Sequence, residues 1–132
     1  MDFKVPTDRK YTNSHEWVRL ENEKAVMGIT DYAQYQLSDV VYVELPKIGE
    51  VFEKGSMIGE IESVKAVDEF NMPLSGEIVE LNDQLHNNPE LVNSSPYDEG
   101  WFLKIKINNP SELDTFLTAN QYQELIQREE NQ

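Results

Sequence analysis

Along the first hundred positions, apolar and polar residues alternate in short runs broken by Gly, Pro, Asn or Asp, and the alternation has the two-residue period of a half-buried strand. The clearest run closes that stretch: Trp101, Leu103, Ile105 and Ile107 fall on one side, Lys104 and Lys106 on the other. Runs of similar length cover residues 16–20, 24–29, 40–45, 57–61, 66–70 and 77–81. Strands this short, separated by turn-forming residues rather than by helices, pair antiparallel with their neighbours.

Two segments carry a helical signature instead. Thr30 or Asp31 can cap a short helix over 32–37, with Gln34 at capping-box spacing from Asp31. Towards the carboxyl end Asn109 is a cap and Pro110 suits the first helical position, so that Leu113, Phe116 and Leu117 form an apolar stripe. Thr118 with Gln121 repeats the start signal, and Tyr122, Leu125 and Ile126 resume the stripe in a new phase. The spacing predicts two short helices or one kinked helix. The pattern P-x-x-G-E-V/I occurs at 46–51 and again at 73–78, which suggests a sandwich of two similar halves joined by the segment holding Lys65.

Composition narrows the functions available. At 132 residues and 39% apolar, the chain suffices for one compact core. With 25 acidic against 11 basic residues, the net charge of -14 repels phosphate backbones and anionic membranes, so that basic-rimmed proteins are the expected partners. There is no cysteine, hence neither a disulfide frame nor a thiol nucleophile. No run approaches the ~18 apolar residues of a membrane span, and the start MDFKVPTDRK has no signal-peptide or transit-peptide character; a soluble, cytoplasmic protein is expected. No Ser/His/Asp order, phosphate loop or H-E-x-x-H is present, and the two imidazoles, His15 and His86, lie far apart without cysteine company, so neither a catalytic set nor a metal site is expected. Trp17 and Trp101 fall on apolar strand faces and read as core anchors. Tyr97 to Gly100 reads as a turn.

One cation stands out. In GEIESVKAVDE, Lys65 sits among Glu60, Glu62, Asp68 and Glu69, at the apparent bend between two extended runs. No Gly, Asn or Pro marks that bend, which implies that its surroundings specify it. A lysine at a hairpin tip is open to a modifying enzyme but poorly suited to catalysis, since nearby carboxylates keep its amine protonated. By composition alone it is a solvated turn lysine, with an acidic interaction module as a further alternative.

The blocks YTNSHEWV (11–18), GITDYAQ (28–34), VVYVELPKIG (40–49), ESVKAV (62–67), SGEIVELN (75–82) and PELVNSSPYDEGW (89–101), with the terminal helix, give the chain a resemblance to the H-protein family of the glycine cleavage system. The resemblance implies a mainly β fold: a lipoyl-domain-like flattened barrel or sandwich with a short internal helix and C-terminal helices. It also implies one carrier domain over 1–132, with a core of about 10–108 and a helical segment of about 109–129. The family's modified lysine corresponds to Lys65, which would carry lipoate in amide linkage.

The implied role is that of a non-catalytic shuttle. It would carry the aminomethyl group of glycine from a pyridoxal-phosphate-dependent decarboxylase (P protein) to a tetrahydrofolate-dependent aminomethyltransferase (T protein). A dihydrolipoyl dehydrogenase (L protein) would then reoxidise it. A lipoate ligase or a lipoyl or octanoyl transferase would attach the group, and the carrier would act as a monomer. The positions matching the family's arm-sheltering cleft are Ser14, Glu16 and Glu69, and Glu62 corresponds to an acid that recurs before the lysine in lipoyl domains. Two positions depart from the pattern: Glu69 stands in place of a shorter Asp, and Ser38 in place of Gly. Biotinyl domains, which resemble Met-Lys-Met at the tip, fit poorly, whereas a lipoate relay to other complexes remains open.

Overall fold

Residues 2–131 are described by a computed structural model, in which nine strands form two antiparallel sheets. The larger sheet contains β1 (Lys10–Tyr11), β2 (Glu16–Glu21), β3 (Lys24–Ile29), β9 (Leu103–Ile107), β8 (Gly76–Leu81) and β5 (Val51–Phe52), side by side in that order. The smaller contains β4 (Val40–Glu44), β6 (Met57–Ser63) and β7 (Val67–Asn71), with β6 central. The mainly β, sandwich-like expectation therefore holds, and the predicted strands are present with ends shifted by a few residues.

Period-two alternation explains how the sheets close on each other. Ala25 and Met27 face inward on β3, Ile61 on β6, Phe70 on β7, Ile78 on β8 and Leu103 and Ile105 on β9, and all are buried in one cluster between the sheets. Phe70 and Phe102 meet edge to face at 4.9 Å. The residues between them on β2 and β3 point the other way, and Trp17 and Val26 build a second cluster with Tyr11, Tyr32, Tyr97, Tyr122 and Ile126. Gly28 is required there, because a Cβ would lie 2.9 Å from the Trp17 indole. Trp17 is thus the anchor its pattern predicts. Trp101 is only half-buried, with the Lys104 ammonium over its ring.

The helices obey their caps. Thr30 caps α1 (Asp31–Leu37), its hydroxyl accepting from the Ala33 amide, while Gln34 donates to the Asp31 carboxylate and no capping box forms. The carboxyl end is two separate elements: a 3-10 helix, Pro110–Thr115, capped by Asn109, and α4 (Ala119–Glu130), closed by the full Thr118–Gln121 capping box. Phe116 is extended between them, which is where the apolar stripe changes phase. The two P-x-x-G-E copies lie against each other, β5 pairing with β8 through Val51 and Glu77, but their glycines differ. Gly49 makes a positive-φ turn, whereas Gly76 is a strand residue pressed against Lys106. Two further helices, α2 (Gln84–Asn87) and α3 (Leu91–Ser94), are single turns with no periodicity to announce them.

One register detail of the smaller sheet matters below. Glu44 pairs with Glu60 and Glu60 with Glu69, so three carboxylates stand in one row across its outer face. Like charges in opposed positions destabilise a sheet, which makes the row costly as pure scaffold.

Candidate functional site

Lys65 occupies the tip of the β6–β7 hairpin, exposed. The bend has turn chemistry after all, supplied by a serine. The Ser63 hydroxyl accepts from the Lys65 amide at 3.1 Å and the Ala66 amide at 3.0 Å, while the Ser63 amide donates to the Ala66 carbonyl at 2.8 Å. Surroundings contribute one brace: the Val64 amide donates to the Asp39 carbonyl at 2.9 Å.

That brace leads to a strained residue. Ser38 ends α1 at φ 67 and ψ -157, a region that glycine occupies freely and serine does not. Asn93 clamps it in place, donating to the Ser38 carbonyl and to the Gln34 side chain, both at 2.9 Å, and accepting from the Val40 amide at 2.8 Å. The Lys65 ammonium reaches back over the same helix end, 3.4 Å from the Gln36 carbonyl.

Gln36 also lies on the rim of a cleft of about 250 Å3 between α1, β7, the loop before β2 and the end of α4. Ile29, Ala33, Leu37, Ile61 and Phe70 give it an apolar wall, and Ser14, Glu16, Asp68, Glu69 and Glu129 give it polar ones. Of the predicted site residues, the fold thus brings Ser14, Glu16 and Glu69 together beside Lys65, and leaves Glu62 outside on the exposed sheet face. Asp68 and Glu69 point to opposite sheet faces, yet both border the cleft, because β7 is an edge strand.

Glu16 is 2% exposed. Its carboxylate accepts from Thr12 at 2.7 Å, Ser14 at 2.6 Å and the Asn71 amide at 3.3 Å. Burial dominates over these bonds and raises its pKa above the usual carboxylate range. His15, beside it, adopts φ 73, with Nδ1 2.8 Å from the Tyr122 hydroxyl and Nε2 3.1 Å from the Glu129 carboxylate. Tyr122 in turn lies 2.6 Å from the Thr30 hydroxyl, so that a chain of polar contacts joins the cap of α1 to the end of α4. Glu129 was not evident as a cleft residue from charge alone. Its signal is phase: with Tyr122, Leu125 and Ile126 it continues the inward stripe of α4.

A β scaffold that offers one lysine on a hairpin beside a cleft with one apolar wall, with no catalytic set around it among the described residues, fits a class: the carrier domain that bears a covalent swinging arm. A model of the family described as Glycine cleavage H-protein matches residues 9–129. The glycine cleavage system H protein of Methylacidiphilum infernorum is 50% identical over 126 residues, covering 96% of this chain and 98% of the relative. That of Nostoc punctiforme is 46% identical over 129 residues, covering 98% and 100%. The crystal structure of a glycine cleavage system H protein from Mycobacterium marinum superposes with a TM-score of 0.83 at 35% identity, covering 89% of this chain and 95% of the other. The chain belongs to the glycine cleavage H-protein family. It is a non-catalytic lipoyl carrier of that system and works with the system's other components. Among the described residues no helix is long and apolar enough to cross a membrane.

Proposed function

We propose that Lys65 is the attachment residue, holding lipoate in amide linkage through Nζ, and that the adjoining cleft shelters the arm. The observation that carries this reading is the position of Lys65: exposed at the tip, with Nζ against the helix end that forms the cleft rim. When bound, the lipoyl group supplies a sulfur ring that takes up and gives back the aminomethyl group of glycine. The residues present fit it, since the cleft pairs an apolar wall for a hydrocarbon chain with carboxylates for a cationic end.

In this reading Ser63 and Asp39 fix the hairpin, so that the arm starts from a defined point. Ile29, Leu37, Ile61 and Phe70 exclude water from the cleft. Glu16, oriented by Thr12 and Ser14, and Glu69 across the opening attract a primary ammonium. Glu62, on the exposed face, is contacted by the lipoate-attaching ligase or by the lipoyl or octanoyl transferase. The specific partners are the glycine decarboxylase, the aminomethyltransferase and the dihydrolipoyl dehydrogenase, met in the cytoplasm by a monomeric carrier whose residues 1–132 act as one domain.

Intact mass after incubation with lipoate, ATP and a lipoate ligase tests the attachment. The wild-type chain gains one lipoyl group and Lys65→Arg gains none; a persisting gain in the variant would refute the assignment.

A further inference from the structure

Exposed large apolar side chains gather around the lysine. Val41, Tyr42, Val64 and Val67 are each between 42% and 69% exposed. Val64 adjoins Lys65, and Tyr42 and Val67 flank Glu62 across the three strands of the smaller sheet. The register shifts between Val40 and Tyr42, and this irregularity leaves the consecutive residues Val41 and Tyr42 both facing water, where strict alternation would bury one. Apolar patches of this kind on a chain otherwise rich in surface charge mark interfaces.

We propose that this collar is the seat of the lipoate-attaching enzyme, a partner with an apolar contact surface and a basic rim. The inference rests on Lys65 being the modified residue. The geometric reason is reach: a lysine side chain is short, so an active site that receives its Nζ must cover the flanks of the hairpin. Enzymes acting later meet the far end of the lengthened arm and have no such need. The charge reason is that Lys65 is the only Lys or Arg between Lys54 and Lys104, while Glu62 and the Glu44–Glu60–Glu69 row border the collar.

The test measures lipoylation of the unmodified full chain by a purified lipoate ligase, followed by intact mass. Tyr42→Ser combined with Val67→Ser lowers kcat/KM about tenfold, chiefly through KM, as loss of two central apolar contacts does. Ile48→Ser, at an equally exposed apolar position away from the hairpin, leaves it within twofold. Raising salt slows the wild type. Once lipoylated at long incubation, the double variant is reduced by dihydrolipoyl dehydrogenase at the wild-type rate. An unchanged kcat/KM in the double variant overturns the proposal. So do equal slowing by Ile48→Ser, slowed reduction of the lipoylated variant, which would make the collar a general docking face, and dimerisation of the wild type through it in sedimentation. Lipoylation of Lys65→Arg would instead defeat the attachment reading itself, a result the collar variants cannot produce.

Discussion

At the scale of single residues, two side chains are held where their chemistry resists. Ser38 keeps a backbone conformation that costs a non-glycine residue roughly 1–3 kcal/mol. Ser38→Gly therefore stabilises the protein by about 1 kcal/mol after the greater flexibility of unfolded glycine is subtracted, visible as a higher urea midpoint with an unchanged slope. Glu16 is the other. Its folded pKa is raised, chiefly by burial, so between the ordinary and the raised value the folded state holds a proton that the unfolded state has already released. Its contribution to stability is complete below the ordinary glutamate pKa and is lost as pH rises through the raised folded value. A carboxyl-resolved NMR titration should place the Glu16 midpoint above the ordinary glutamate value; a midpoint at or below that value would contradict the account.

At the scale of elements, α4 is closed at its start by a reciprocal cap. Thr118 accepts from the Gln121 amide at 3.2 Å and Gln121 answers to the Thr118 amide at 2.9 Å. Thr118→Ala should cost about 1 kcal/mol and lower the melting temperature by roughly 2–5 °C. Because the same helix carries Tyr122 and Glu129, the variant should also broaden the His15 ring signals in NMR, whereas an exposed change such as Glu124→Gln should not. This is also the scale at which the sequence was most and least readable. Lys65 stood out because a lone cation among carboxylates is visible in one dimension, and Thr118 and Pro110 because caps are local. β1 and β5 span two residues each, too short to show a period; β5 is held by β8, and Tyr11 of β1 also bridges to the distant Leu117. Ser14, Glu16 and Glu69 are brought together by topology, which shows in the sequence only through family resemblance, whereas Glu129 shows by its phase on α4. The hairpin carries its turn signal in Ser63, whose hydroxyl sets a bend that Gly, Asn and Pro do not mark.

For the whole molecule, charge governs encounter. At a net charge of -14, association with basic-rimmed partners should slow steeply as salt rises from about 0.05 to 0.5 M, where screening shortens below ~5 Å. Stopped-flow measurement of reduction by dihydrolipoyl dehydrogenase checks this, and a salt-independent rate would mean that apolar contact steers the meeting. The Glu44–Glu60–Glu69 row bears on a different hazard. Two copies laid face to face through the smaller sheet would set one line of negative charge against another. That repulsion disfavours self-association through this face and leaves it open to partners of opposite charge.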